Sequence, residues 1–155
     1  MIRCTPRGIC SWNFLLEGDG HHASVVFDWI GESGKLVIDG QHHTISKHGM
    51  LSGKWTFDSR MNHLFTAQKS NPFTRTFEIS GSSGPAILSA SSAFGRTMTI
   101  AGHGIDCTIS PAHPFTRRAS ITGRYDDFRR VAFAFWLTAL TWRRAARNNS
   151  GGTSS

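Results

Sequence analysis

Tyrosine is almost missing from this chain: Tyr125 is the only one in 155 residues. That leaves no identifiable platform for stacking nucleic-acid bases. Acids are also scarce, ten Asp and Glu against seventeen Lys and Arg, and the formal net charge is +7. Their thin spread excludes a calcium loop, which needs a dense acidic cluster. Glu17, Asp19, Glu32, Asp39 and Asp58 fall in or near expected turns, where solvated carboxylates are poor general acids or bases. Cysteine is limited to Cys4, Cys10 and Cys107, with no Cys-x-x-Cys. An odd, unpatterned set argues against both a disulfide framework and a zinc knuckle, and fits a reducing compartment. The phosphate-cradling Gly-x-x-x-x-Gly-Lys-Ser/Thr loop and the Gly-x-Gly-x-x-Gly fingerprint are missing. Ser80 to Gly84 is a turn without the Gly-x-Ser-x-Gly elbow of a serine nucleophile. No apolar run follows a basic start at the N-terminus, so no signal peptide is expected, and the expected location is cytoplasmic.

What the chain does have is a repeat. Its pattern is bulky–x–Arg or Gly–x–apolar–x–Ile or Phe. It reads Gly34-x-Leu36-x-Ile38, Leu51-x-Gly53-x-Trp55-x-Phe57, Phe73-x-Arg75-x-Phe77-x-Ile79, Phe94-x-Arg96-x-Met98-x-Ile100 and Phe115-x-Arg117-x-Ala119-x-Ile121. The closing positions are 19, 22, 21 and 21 residues apart. A fixed period of this size marks one supersecondary unit used repeatedly. Alternation at period two makes that unit strand, not helix. Turn signals at Asp39-Gly40, Ser80 to Gly84, Ala101 to Gly104 and Thr122-Gly123 separate the units. Inner breaks near Gly49, Asn71-Pro72, Ser92-Ala93 and Pro111 to Pro114 split each unit into a hairpin. Companion strands are expected near 23–29, 44–47, 63–69, 86–90 and 106–110, with an earlier one at 11–16. The count reaches eleven, and residues 2–7 are either a twelfth strand or disordered.

Eleven or twelve short antiparallel strands in one domain expose edges unless the sheet closes on itself. Val131 to Trp142 supplies the filling, since only two threonines interrupt these twelve residues. A helix apolar all round is buried all round. Its apolar part spans roughly 18 Å, against about 30 Å for a bilayer core. Asp126 and Asp127 at its start and Arg143, Arg144 and Arg147 at its end match the helix dipole. The expectation is a single all-β domain over residues 1–147: a closed antiparallel barrel of eleven to twelve strands around a central C-terminal helix of about 126–147. Residues 148–155 are expected to form a disordered tail.

The positive charge is uneven. From Phe115 onward eight Arg face two Asp, leaving +6 there and +1 in residues 1–114. The plain reading is that these arginines keep an apolar helix soluble and complement its ends. The functional reading is an anionic partner. Arg75, Arg96 and Arg117 recur at one repeat position. By strand parity they share the face of the core residues, so they either snorkel at the barrel rim or form a ring of cations for a phosphate. Eight histidines add one more pattern. His21, His22, His42, His43, His63 and His103 lie at repeat starts, while His48 and His113 lie near the inner turns. They are tolerated turn residues, or a metal site where hairpin ends converge.

The hairpins from Thr66 to Ile79 and from Leu88 to Ile100, followed by the helix Val131 to Trp142, resemble the tubby C-terminal-like superfamily: tubby proteins, phospholipid scramblases and LURP-one-related proteins. The resemblance implies a closed twelve-strand barrel around a hydrophobic helix, and a connection with phospholipid. The basic residues by which tubby proteins hold phosphoinositides match no position here. Because the helix fills the barrel, a carrier cavity is not expected. The expected function is non-enzymatic binding or scaffolding, with anionic phospholipid met through Arg129, Arg130, Arg143, Arg144 and Arg147, and with Arg75, Arg96 and Arg117 as further phosphate contacts. No cofactor is expected. The alternatives are nucleic-acid binding through the same arginines, and a metal-dependent enzyme using rim histidines.

Overall fold

A computed structural model describes residues 1–151. It contains twelve strands, β1 (Ile2–Pro6), β2 (Phe14–Gly18), β3 (His21–Phe27), β4 (Gly34–Ile38), β5 (Gln41–His48), β6 (Lys54–Ser59), β7 (His63–Lys69), β8 (Thr76–Gly81), β9 (Ala86–Ala90), β10 (Met98–Gly102), β11 (Ile105–Pro111) and β12 (Ala119–Tyr125), then one helix, α1 (Phe128–Ser150). Each strand pairs antiparallel with its neighbours in sequence, and β1 pairs with β12 to close the barrel. Ile2 faces Ile121 and Cys4 faces Ala119 across that seam. Of residues 2–7, Ile2–Pro6 supply the twelfth strand, and no edge is left to template aggregation.

Strand burial alternates as the period-two pattern requires. Ala23, Val25 and Phe27 point in from β3, and Ile105, Cys107 and Ile109 from β11. Asp39-Gly40 turns the β4–β5 hairpin with φ of 49° and 82°, as Asp19-Gly20 turns β2–β3 with 54° and 79°. Two successive positive φ angles define the tight turn whose twist suits a hairpin. Every residue from Val131 to Leu140 is buried inside the barrel. Phe133 stacks on Phe57, Phe135 meets Phe14 edge-on, and Trp136 stacks on Phe27 with ring centroids 4.7 Å apart. Gly34 is required by this filling: a Cβ there would lie 2.7 Å from the Trp136 Nε1.

The helix begins at Phe128, two residues later than expected, because Asp127 is the N-cap and accepts from the Arg129 N–H at 3.0 Å. It also runs on to Ser150. Residues 148–150, expected in a disordered tail, are helical; residues 152–155 of that expectation lie outside the described residues. Among the described residues no helix is long and apolar enough to cross a membrane.

Antiparallel alternation gives the barrel two unlike ends. Six connections, residues 7–13, 28–33, 49–53, 70–75, 91–97 and 112–118, lie at the end where α1 emerges. The connections at the other end are shorter: 19–20, 39–40, 60–62, 82–85 and 103–104. Residues 126–127 lead from there into the helix.

Candidate interaction rim

The long loops at the helix-exit end carry what the repeat placed there. Strands β6, β8, β10 and β12 start at Lys54, Thr76, Met98 and Ala119, after the first half of each repeat motif. Leu51, Phe73, Phe94 and Phe115, expected within strands, are therefore loop-tip residues. Ile9 marks the loop β1–β2, Trp29 and Ile30 mark β3–β4, and Met50 joins Leu51 on β5–β6. All eight side chains are between 86% and 100% exposed. Every one of the six loops at this end thus shows at least one bare apolar side chain. At the opposite end only Met61 among the connecting residues does so. Phe94 and Phe115 line one cleft, and apolar side chains gathered at one end of a folded domain point to an interaction site more than scattered ones do.

Arginines sit just beneath these tips, and three of them tie the loops together. Arg75 donates to the carbonyls of Ser92, Ala93 and Gly95 in the loop β9–β10, at 2.5–2.7 Å. Arg96 donates to Pro114 and Thr116 in the loop β11–β12, both at 3.1 Å. Arg117 donates to Ser11 and Gly8 in the loop β1–β2, across the barrel seam. Each repeat arginine so clamps the next loop round the rim. Strand parity left these guanidiniums either snorkelling at the rim or forming a ring of cations; they lie at the rim, before the strands begin, with donors directed to backbone carbonyls of the next loop. Arg96 also lies over the Trp142 ring at 4.9 Å, and partial burial lowers its pKa.

The arginines expected to form one basic C-terminal surface are split between the two ends. Arg143, Arg144 and Arg147 emerge with the helix at the rim. Arg143 is buried against the Phe27 ring and donates to the Gly31 and Asp28 carbonyls at 3.2 and 3.5 Å. Arg144 pairs with Glu32. Arg147 is exposed. Arg129 and Arg130 lie thirteen or more residues earlier, about 20 Å away along the helix axis. Arg129 pairs with its own cap, Asp127, at 2.8 Å. Arg130 is fully buried and ties the Ser83, Gly84 and His103 carbonyls and Asp126 to the helix start. Arg129 and Arg130 thus lie at the opposite end of the helix from Arg143, Arg144 and Arg147, and the five do not form one surface.

Charge follows the same axis. The six rim loops hold Arg7, Arg75, Arg96, Arg117 and Arg118 against Asp28 and Glu32, and the end of α1 adds Arg143, Arg144 and Arg147. The opposite connections and helix start hold Asp19, Asp39, Asp126 and Asp127 against Arg60, Arg129 and Arg130. The excess that the sequence assigned to the last quarter of the chain is, in space, a property of one end of the barrel.

The histidines of the repeat starts gather at the short-loop end, and three of them are held singly. His21 meets Asp39 and His63 meets Asp58, both at 2.7 Å, while His43 bonds the Gln41 carbonyl and stacks on Phe57. Burial lowers the His43 pKa. Among the described residues no three of His, Cys, Asp and Glu come close enough together to hold a metal ion. The convergence that a rim metal site requires is not formed.

Comparison of this chain with protein-family models, curated proteins and solved structures finds no match.

Proposed function

We propose that this protein is a non-enzymatic peripheral binding module that meets an anionic phospholipid surface with the helix-exit end of its barrel. The observation that carries the reading is the set of bare apolar side chains on all six loops at that end, over a net-positive layer. Stable attachment to a bilayer surface needs two signals, apolar insertion and electrostatic attraction. Fully burying a side chain such as Phe or Leu contributes about 1.5–3 kcal/mol. A basic residue near an anionic surface contributes about 1 kcal/mol. Several partly inserted tips and a few exposed cations are enough on this arithmetic. The arginine clamps tie the loops β9–β10, β11–β12 and β1–β2 to their neighbours, so part of the entropy of ordering the rim is lost before contact. The proposed resemblance to the tubby C-terminal-like superfamily agrees with this reading through barrel, helix and lipid connection.

Nucleic acid is the weaker partner for this end, because apolar loop tips gain little from a phosphate backbone and the clamp arginines are already bonded to carbonyls. Flotation with liposomes of graded phosphatidylserine content tests the proposal. Binding should rise with anionic lipid in the intact chain. It should drop about tenfold or more in Phe94→Ser/Phe115→Ser, whose exposed positions leave the fold intact. Arg147→Glu should weaken it further and make the salt dependence shallower. Absence of flotation at low salt, or equal flotation by the loop-tip variant, would remove the proposal.

A further inference from the structure

The ring of arginine clamps has a gap. Arg75, Arg96 and Arg117 link the loops β7–β8, β9–β10, β11–β12 and β1–β2. The same repeat position in the loop β5–β6 is Gly53, whose φ is +61° and which carries no side chain to reach forward. A cleft of about 470 Å³ opens there, between the loops β5–β6 and β7–β8. This volume lies within the ~300–1,000 Å³ of small-molecule sites. Met50 and Leu51 form one lip, and Asn71 and Pro72 the other.

Three cations line this cleft: Lys47, Lys69 and Arg144. One carboxylate serves them. Glu32 pairs with Lys47 at 2.5 Å and with Arg144, and among the described residues no acid lies within salt-bridge distance of Lys69. The Lys69 ammonium has the Pro72 carbonyl at 3.4 Å and the face of Phe77 at 5.6 Å. Burial, and then the charge of Arg144, lower its pKa. Three positive groups against one negative leave a local excess of two charges in a half-buried place, which is costly without a counter-charge. A phosphate monoester supplies close to that: about −1.5 to −2 at neutral pH, with three strong acceptor oxygens.

We infer that this cleft binds a terminal phosphate group, with Lys69, Lys47 and Arg144 as its cationic contacts and Met50 and Leu51 against the body that carries it. The phosphate can be borne by a lipid headgroup or by a soluble phosphomonoester. The lipid-borne form rests on the membrane reading above, and the soluble form does not.

The test is an amide-shift titration of the full isotope-labelled chain with inorganic phosphate and then glycerol phosphate, at constant ionic strength. Saturable shifts are expected at Gly53, Lys69, Ser70 and Asn71, without comparable shifts at the Asp19-Gly20 turn. Lys69→Met should weaken binding about tenfold or more while leaving Tm unchanged or higher, since an unmatched cation is removed. Ser70→Glu, an exposed change at the cleft edge, should weaken it similarly. No shift at millimolar phosphate in the folded chain, or undiminished shifts in both variants, would overturn the inference. Flotation on phosphatidic acid against phosphatidylserine at matched charge then separates the sources. A preference for phosphatidic acid that Lys69→Met abolishes assigns the cleft to lipid. Equal flotation with intact phosphate shifts assigns it to a soluble ligand. Flotation without phosphate shifts would defeat the cleft and spare the membrane reading, and phosphate shifts without flotation would do the reverse.

Discussion

Glu32 shows how much one side chain contributes at the rim. Its backbone carbonyl accepts from the Trp55 Nε1 at 2.9 Å, and its carboxylate takes both Lys47 and Arg144. Burial acts to raise its pKa, but the hydrogen bonds and charges of Arg144 and Lys47 outweigh this and hold it at about 2, against 4.5 unperturbed. A carboxyl with a folded-state pKa below its unfolded value adds stability above the unfolded value and loses it as pH falls through the folded one. Glu32→Gln should therefore lower stability by about 2–3 kcal/mol near neutral pH. In denaturant titrations the gap between variant and wild type should shrink from pH 4.5 down to about pH 2. A gap independent of pH would show that the loss is one of packing. From the sequence, Glu32 reads as a solvated turn acid. Its partners lie 15 and 112 positions away, and only closure of the barrel around α1 brings them to it.

At the scale of elements, the repeat arginines act through the loop that follows their own. Arg75→Met removes the donors to three carbonyls of the loop β9–β10 and should cost about 1–2 kcal/mol. Amide exchange should quicken across residues 91–97 and stay unchanged across 112–118, where the Arg96 clamp is intact. Equal protection in both loops would show that the clamps do not order the rim. The period and the alternation in the sequence were enough to place β7 and β9 at their observed bounds, and the apolar run of α1 was enough to place it inside. The loop tips were misread for a physical reason. An apolar residue three or four positions before a strand continues the alternation, and a pattern of side chains cannot show where backbone pairing stops. Phe73, Phe94 and Phe115 therefore read as strand residues. The late helix start has a local cause as well, because Asp127 serves as the cap where Asp126 and Asp127 together suggested a first turn.

Over the whole molecule, twelve strands close on a helix buried from Val131 to Leu140, which directs the search for function to the ends and the wall. The two ends differ in loop length, in the number of exposed apolar side chains and in net charge, and all three differences run along the same axis. A barrel selected only for stability has no need of bare phenylalanines on successive loops, and each is a solubility cost. The central claim is that this end faces a membrane, and Trp29 is a built-in reporter of it. It is 93% exposed on the loop β3–β4, while Trp55, Trp136 and Trp142 are buried. The most direct measurement is the Trp29 fluorescence difference between wild type and Trp29→Phe on addition of phosphatidylserine vesicles. The account predicts a blue shift and quenching by lipids brominated along the acyl chains. An unshifted, unquenched Trp29 signal at low salt, with the barrel still folded, would contradict it.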